Sequence, residues 1–474
     1  MVFSSNIFLF VFLPLMLAGY FIIPKRLRNN FLLVGSLFFY FWGEPKFILI
    51  MLTSIAINYF FGLLISLAQK EEKSILVKRI ILALAIAGNL GLLFYFKYFN
   101  FAISTVNQIF SLDISLRNIA LPLGISFFTF HGVTYIMGLY WGKFDVQKNP
   151  LKVALYVALF PQLVAGPIVR YQDVHLQIDS RVTSIDKFSE GIKRFAIGLG
   201  KKTIIANTVA IAADKIFGIP YYENTLATAW LGVLCYTLQI YFDFSGYSDM
   251  AIGLGKMFGF EFLENFNYPY ISKSIREFWR RWHISLSTFF RDYLYIPLGG
   301  SRKGNVYVNL FIVFLMTGLW HGASLNFIVW GLWHGAFMIL ERTSDKLPLK
   351  KLNIPSVISR VYTLLVVMIG WVFFRADNLD YAVGYLGVMF GIVKPYNIGF
   401  STLYYLDIFT IFIIVIAIIA STRIIPRFVN QLEEKKGQAI SFNIAKVLYI
   451  SILMIINIIF VMTSTYNPFI YFRF

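Results

Sequence analysis

Long apolar segments alternate with short polar ones along almost the whole chain. Several are shorter than the roughly 20 residues that a perpendicular transmembrane helix needs. Short or interrupted segments are typical of re-entrant or broken helices, which are tolerated where they line an enclosed cavity. The pattern predicts an all-α polytopic membrane protein with about 10–13 spans plus re-entrant or interfacial helices. The apolar segments lie at 6–23, 31–43, 47–68, 80–98, 119–140, 151–169, 226–242, 305–320, 322–340, 358–375, 403–422 and 446–463.

The basic residues predict how these segments are oriented. They cluster between apolar segments, as in cytoplasmic loops, and the first cluster follows the first segment, so we expect the N-terminus outside. If every cluster lies inside, the chain between two clusters must leave the cytoplasm and return, which takes an even number of spans. The interval 80–186 instead has three apolar segments, and 203–272 has one. We therefore expect a re-entrant piece or a missed span in each, with 203–218 as a candidate span. The clusters lie at 25–28, 70–79, 187–202, 273–303, 342–351 and 423–436.

The stretch 185–218 mixes basic residues with Phe, Ile and Ala. This mixture predicts an amphipathic helix on the cytoplasmic leaflet. The alternative is a docking surface for an anionic carrier or acyl donor. Its basic residues are Lys187, Lys193, Arg194, Lys201, Lys202 and Lys215.

Composition supports the membrane assignment. The chain is 58% hydrophobic and 14% charged, whereas soluble domains carry about 25% charged residues. The net charge of +18 is accompanied by no nucleic-acid-binding motif, so we expect no nucleic-acid partner. Cys235 is the only cysteine, which excludes an intramolecular disulfide and a thiolate metal site. We expect no bound metal or cofactor.

Two of the five histidines occupy a stretch, Gly304 to Leu340, that contains no Asp, Glu, Lys or Arg. They belong to two copies of Gly-Leu-Trp-His-Gly-Ala, at 318–323 and 331–336. Histidine suits proton transfer near neutral pH, and ionisable groups at membrane depth are functional candidates. On one straight helix, thirteen residues separate His321 and His334 by about 220° and about 20 Å. We therefore expect a turn near 322–326.

Their flanks distinguish the two histidines. His321 precedes Ser324 and Asn326, polar residues that suit a bend facing a cavity. A helix that starts at Gly304 on the cytoplasmic face places His321 about 25 Å across the membrane. His334 precedes Ala-Phe-Met-Ile-Leu, so we expect a packing residue whose ring is hydrogen-bonded to a backbone carbonyl.

Two further clusters combine polar with aromatic residues. One runs from Glu277 through Trp-His283-Ile-Ser to Tyr295, and the other from Tyr241 to Asp249. The spacing excludes common alternatives, because the chain has no Gly-x-Ser-x-Gly, no His-Glu-x-x-His and no complete phosphate loop. His131 and His175 have no supporting cluster, and we expect structural roles for them.

These motifs resemble the membrane-bound O-acyltransferase (MBOAT) family, in its bacterial alginate O-acetyltransferase-like branch. The resemblance covers most of the chain and implies one domain, 1–474: a ring of helices around a central funnel and tunnel. Peripheral spans at 1–115, a catalytic core at 116–345 and C-terminal spans at 346–474 are expected. The matching segments are 42–45, 160–167, 241–249, 278–283, 291–300 and 318–322; Tyr-Phe-Arg-Phe at 471–474 also favours this branch.

The resemblance implies that His321 is the active-site histidine and that His283 is a second functional one. Acyl transfer from a thioester to a hydroxyl needs a general base and donors for the oxyanion. His321 suits the base, and His283 suits orienting or polarising the thioester. The expected residues of the substrate and donor tunnel are Trp320, Asn326, Ser285, Ser287, Asp243, Ser245, Arg291 and Asp292.

The resemblance also implies a direction and partners. An acetyl group moves from a cytoplasmic donor, with acetyl-CoA expected, to a polysaccharide outside a bacterial plasma membrane, with a secreted or periplasmic SGNH-type acetyltransferase completing the step. D-Alanyl transfer toward teichoic acid is the alternative within the same chemistry. A polysaccharide or lipid transporter is the alternative from another class.

Overall fold

The computed structural model describes residues 1–344, 355–437, 439–464 and 466–468. Within those ranges every regular element is a helix and no strand occurs. The prediction of an all-α fold is therefore confirmed. The Tyr-Phe-Arg-Phe segment at 471–474, and part of the basic cluster at 342–351, lie outside the described residues.

The α-helices are numbered α1 to α21 in chain order. Several are extended by π-helical turns, so that Ile75–Phe110 and Ile185–Phe217 each form one long helix. The bounds are α1 Leu13–Ile22, α2 Arg28–Gly43, α3 Ile48–Lys70, α4 Ile75–Leu93, α5 Phe99–Phe110, α6 Ile125–Tyr140, α7 Pro150–Ala158, α8 Phe160–Leu163, α9 Tyr171–Asp179, α10 Ile185–Gly200, α11 Asn207–Phe217, α12 Leu226–Met257, α13 Ile275–Arg281, α14 Ile284–Phe290, α15 Val306–His321, α16 Leu325–Ser344, α17 Ser356–Arg375, α18 Leu379–Met389, α19 Ile408–Ala420, α20 Ile424–Lys436 and α21 Ile440–Thr463.

Five helices within the described ranges are long and apolar enough to cross a membrane, by length and composition alone. The bent pair α19–α20 raises the count to six if it forms one span, and Phe8–Ile22 and Val306–His321 are shorter apolar helices. This count is below the predicted 10–13, because much of the apolar sequence folds into short helices. The chain is a multi-pass membrane protein.

Two regions of the predicted topology, the interval 80–186 and the stretch 185–218, can be compared directly with the structure. The interval 80–186 is expected to hold a re-entrant piece or a missed span, and within it the segment 151–169 is broken into α7 and α8, neither of which is long enough to span a membrane. The candidate span at 203–218 is the second half of the helix Ile185–Phe217. The interfacial location predicted for 185–218 is wrong for most of this stretch. In the most apolar 18 residues of the helix, 78% are buried inside the protein.

The backbone groups into two compact units, residues 1–195 with 250–263, and residues 196–249 with 264–474. In the first unit, α3 and α4 are joined by a reciprocal amide pair between Asn58 and Asn89, with N···O distances of 2.9 and 3.0 Å. The second unit contains both hexapeptides and all three histidines after residue 264. The predicted division into peripheral and core spans stays a prediction.

Candidate active site

The two hexapeptides form a tight helical hairpin. α15 ends at His321, Gly322 is extended, and α16 begins at Leu325, so the turn predicted near 322–326 is confirmed. The first glycines of the two copies meet, because a Cβ on Gly331 would lie 3.0 Å from the Cα of Gly318. Because glycine has no side chain, the two helix backbones can come into contact at these positions.

Three aromatic rings enclose the imidazole of His321. The ring centroids of Trp320, Trp330 and Phe374 lie 4.7, 4.9 and 5.0 Å from it, and each plane is tilted by at least 72°. The side chain is 7% exposed. Edge-to-face contacts of this kind restrict the orientation of a ring, so His321 is held in a defined pose at the end of α15.

His334, from the second hexapeptide, lies on the other side of Trp330. Its ring is 5.3 Å from the Trp330 ring and 5.3 Å from the Trp279 ring, and it stacks on Phe278 at 6.1 Å. Within the described residues neither ring nitrogen has a hydrogen-bond partner. The carbonyl bond expected for His334 is therefore not formed there, although its full burial agrees with a packing position.

His283 is in contact with the same aromatic group through Trp320, whose ring lies 6.0 Å away. It precedes α14 with φ +43°, a left-handed conformation that is uncommon outside glycine and frequent at functional sites. Phe244 packs edge-on against it at 4.5 Å. Burial lowers the pKa of His283 to about 3, so the ring is neutral near pH 7.

Asn265 is a polar residue in contact with His283 that the sequence did not single out. Its Oδ1 lies 3.2 Å from His283 Nδ1 and accepts from the backbone N–H and the hydroxyl of Ser285 at 3.1 and 2.9 Å. Its Nδ2 donates to Ser248 at 3.0 Å. No local motif marks this asparagine, because its partners come from α12 and from the start of α14.

The other predicted tunnel residues divide into several groups. Ser285 belongs to the Asn265 cluster, while the buried hydroxyls of Ser287 and Ser245 have no hydrogen-bond partner among the described residues. Asn326 donates its amide to the carbonyl of Ala376 at 2.7 Å, which ties α16 to the end of α17. Arg291 pairs with its neighbour Asp292 at 2.7 Å, and 59% of its side chain is exposed.

Asp243 and Asp249 are engaged in ion pairs within the second unit. Lys202 meets Asp243 at 2.8 Å with both side chains almost fully buried, and Lys201 meets Asp249 at 2.6 Å. The pairs join two adjacent residues of the helix Ile185–Phe217 to successive turns of α12. Their geometry is that of helix-joining contacts rather than of an acid catalyst.

The end of α17 also carries an ion pair. Phe374, which packs against His321, is followed by Arg375, and Arg375 meets Asp214 at 2.6 Å. No group of three or more His, Cys, Asp or Glu side chains with the spacing of a metal site occurs among the residues that the structure describes. The site thus offers a caged histidine and a second, asparagine-bonded histidine for proton transfer and orientation.

Comparison with known proteins agrees with these features. Residues 117–375, which include all of the site above, match the sequence profile of the MBOAT, membrane-bound O-acyltransferase, family. The chain is 46% identical over 398 residues to the probable alginate O-acetylase AlgI of Pseudomonas putida, covering 82% of this chain and 80% of that protein. It is 36% identical over 428 residues to the peptidoglycan O-acetyltransferase of Helicobacter pylori, covering 83% and 80%.

A more distant relative covers less of the chain. The teichoic acid D-alanyltransferase of Bacillus subtilis is 32% identical over 222 residues, covering 44% of this chain and 55% of that protein. Similarity to the two O-acetyl-transferring relatives therefore extends about twice as far along the chain.

Proposed function

Because this chain belongs to the membrane-bound O-acyltransferase family, we propose that it transfers an acetyl group from a cytoplasmic thioester to an extracellular or periplasmic polysaccharide. The observation that carries the proposal is the cage of Trp320, Trp330 and Phe374 around His321 at the end of an uncharged helix. O-Acyltransferase chemistry itself follows from the family; the acetyl group, the acceptor and the residue roles are the proposal.

His321 acts as the general base. Its imidazole takes the proton of the acceptor hydroxyl while the hydroxyl oxygen attacks the thioester carbonyl carbon. The C–S bond then breaks, the acceptor keeps the acyl group as an oxygen ester, and the imidazolium returns the proton to the leaving thiolate. His283 orients the thioester, and the rigid aromatic cage keeps the base aligned with the reacting atoms.

The basic clusters support the direction of transfer. If they lie in the cytoplasm of a bacterial cell whose plasma membrane holds the chain, the N-terminus is outside and α15 rises from the inner face. Its 16 residues then carry His321 about 24 Å from that face. Acetyl-CoA is the proposed donor, and the basic residues around α13 are suited to its phosphates.

Acetyl transfer is favoured over D-alanyl transfer by the extent of similarity. The alginate O-acetylase and peptidoglycan O-acetyltransferase relatives match about four fifths of the chain, whereas the D-alanyltransferase relative matches less than half. An alginate-like exopolysaccharide is the proposed acceptor, and a secreted SGNH-type acetyltransferase is the proposed partner for the final step.

The test replaces His321 with Ala in the full chain in its native membrane. We expect polymer acetylation to fall by about 100-fold or more, the effect of losing a general base. His175→Ala is the matched control, because His175 is in the other unit and its Nδ1 meets the carbonyl of Gln172, three residues earlier, at 3.0 Å. Unchanged acetylation at equal membrane abundance would contradict the proposal. A transporter would instead move polymer without releasing thiol from acetyl-CoA.

A further inference from the structure

The carboxamide of Asn265 has only one orientation that satisfies its neighbours. The backbone N–H of Ser285 can only donate, so the atom that it meets at 3.1 Å must be the amide oxygen. The amide nitrogen then faces the hydroxyl of Ser248 at 3.0 Å. The polypeptide therefore fixes which end of Asn265 points toward His283.

This orientation fixes the tautomer of His283. An amide oxygen has no proton to give, so the contact at 3.2 Å is a hydrogen bond only when His283 Nδ1 carries the proton. The hydroxyl of Ser285, 3.4 Å from the same Nδ1, donates its proton to Asn265 Oδ1 at 2.9 Å and therefore leaves Nδ1 as the donor. A neutral imidazole carries one ring proton, and its other nitrogen, Nε2, is then a hydrogen-bond acceptor. In this state His283 cannot donate to a thioester carbonyl.

We infer that Asn265 is a positioning residue that holds His283 as the Nδ1–H tautomer, so that Nε2 accepts an N–H from the amide-bearing arm of the thioester donor. The inference rests on the proposed function, because it names how the second histidine orients the donor. Of the two roles expected for His283, this inference excludes polarising the thioester carbonyl and keeps orienting the donor through a hydrogen bond.

The backbone supports the same role. The carbonyl of Asn265 accepts the N–H of Ile284 at 2.9 Å, next to the left-handed His283. Backbone and side chain of one residue thus hold both sides of a conformation that a non-glycine residue seldom adopts. Two such hydrogen bonds are expected where the orientation of the imidazole ring has to be fixed.

The groups packed around the His283 imidazole would leave it sensitive to a charge introduced at residue 265. The rings packed on His283 are Phe244, Phe266 and Trp320, none of which titrates. The hydroxyls of Ser285 and Ser248 are also neutral, and the nearby Asp249 is paired with Lys201. A carboxylate introduced at residue 265 would be the dominant new charge on the imidazole.

The first test observes the tautomer directly. Full-length protein with ¹⁵N-labelled histidine, in lipid vesicles, is studied by solid-state NMR, and the His283 signals are assigned by their loss in His283→Gln. We expect protonated Nδ1 and unprotonated Nε2, with the other tautomer appearing in Asn265→Ala. Protonated Nε2 in the unaltered protein would overturn the inference, whatever the reaction of the protein is.

The second test uses thiol release from acetyl-CoA by the purified full chain. Asn265→Asp should steepen the acidic limb of kcat/KM, because a carboxylate raises the pKa of the His283 imidazole toward that of the base and a protonated Nε2 no longer accepts. Asn265→Ala should raise KM for acetyl-CoA by about tenfold, the loss of one orienting bond.

The matched control is Asn457→Ala, which removes an equally buried asparagine that donates to the carbonyl of Ala196 at 2.9 Å. It should lower stability without moving KM or the pH profile. If His321→Ala abolishes thiol release but Asn265→Asp keeps the original profile, the inference fails and the proposed function stands. If His321→Ala keeps full activity, the proposed function fails, and the NMR result alone decides the tautomer.

Discussion

The imidazoles of His321 and His334 pack on the same indole, that of Trp330, with centroid distances of 4.9 and 5.3 Å. On a straight helix these histidines would point in different directions, but the turn between α15 and α16 brings both copies of the hexapeptide to one tryptophan. The duplication therefore forms two halves of one aromatic cluster, with His321 at the end of its helix and His334 inside the next.

Close contact of the two helices depends on the paired glycines. In Gly331→Ala the new Cβ would meet the carbonyl oxygen of Phe314 and the Cα of Gly318. Backbone atoms cannot move aside as a flexible side chain can, so we expect α15 and α16 to separate and the melting temperature to fall. The measurement is the thermal melt of purified protein, together with the amount of folded protein in membranes.

Gly91→Ala is the control for that variant. Gly91 lies inside α4, and a Cβ there would meet no atom within 4 Å. Because alanine favours a helix over glycine by up to about 1 kcal/mol, this variant should melt at the same temperature or higher. Equal melting of both alanine variants would contradict the close-packing explanation.

A second glycine controls the position of His334. A Cβ on Gly370 would lie 2.9 Å from His334 Nε2, so Gly370→Ala should push the ring toward Trp330 and tilt the cage of His321. Misaligned catalytic groups cost about 100-fold per ångström, and we expect kcat to fall by about tenfold or more. Acetyl transfer per folded molecule is the measurement, and an unchanged kcat would mean that His334 does not control the pose of His321.

Much of the fold could be predicted from apolar segments and helix geometry. The turn at 322–326 followed from the separation of His321 and His334 on a helix with 3.6 residues per turn. The basic clusters predicted a re-entrant piece or a missed span within 80–186, but they did not indicate that 151–169 is the segment that breaks. The location of 185–218 could not be predicted, because basic residues beside apolar ones are typical of a lipid surface. Here Lys201 and Lys202 instead meet Asp249 and Asp243 of α12, partners that sequence spacing does not reveal.

The site was less predictable than the fold. His321 and His283 carried recognisable motifs, and the structure brings both to Trp320, but their catalytic roles stay predictions. Asn265 could not be identified, since an isolated asparagine has no periodicity and its contact with His283 depends on a left-handed turn. Arg291 was expected in the tunnel because it lies in a motif, yet most of its side chain is exposed.

The buried pair of Lys202 and Asp243 should contribute strongly to stability once formed. Asp243→Asn leaves the Lys202 charge buried without its counter-ion, which costs about 3–5 kcal/mol in such pairs. We expect a large fall in melting temperature, and partial recovery when Lys202→Met is added, because the double variant buries no charge. Lys187→Met, which removes the exposed pair with Glu261, should change melting little.

Trp320 is in contact with both His321 and His283, and its ring lies 4.7 Å from the His321 ring and 6.0 Å from the His283 ring. Trp320→Phe keeps an aromatic ring but a smaller one, so both imidazoles lose part of their aromatic contact, and we expect kcat to fall by about tenfold or more.

Trp333→Phe is the matched control, because Trp333 holds the same place in the second hexapeptide. Its indole N–H donates to the carbonyl of Val366 at 2.9 Å, so this control should lose about 1 kcal/mol of stability and keep its kcat. Equal losses of kcat in the two variants would mean that the tryptophans serve packing alone, whereas a loss confined to Trp320→Phe would identify its ring as the element that aligns the two histidines.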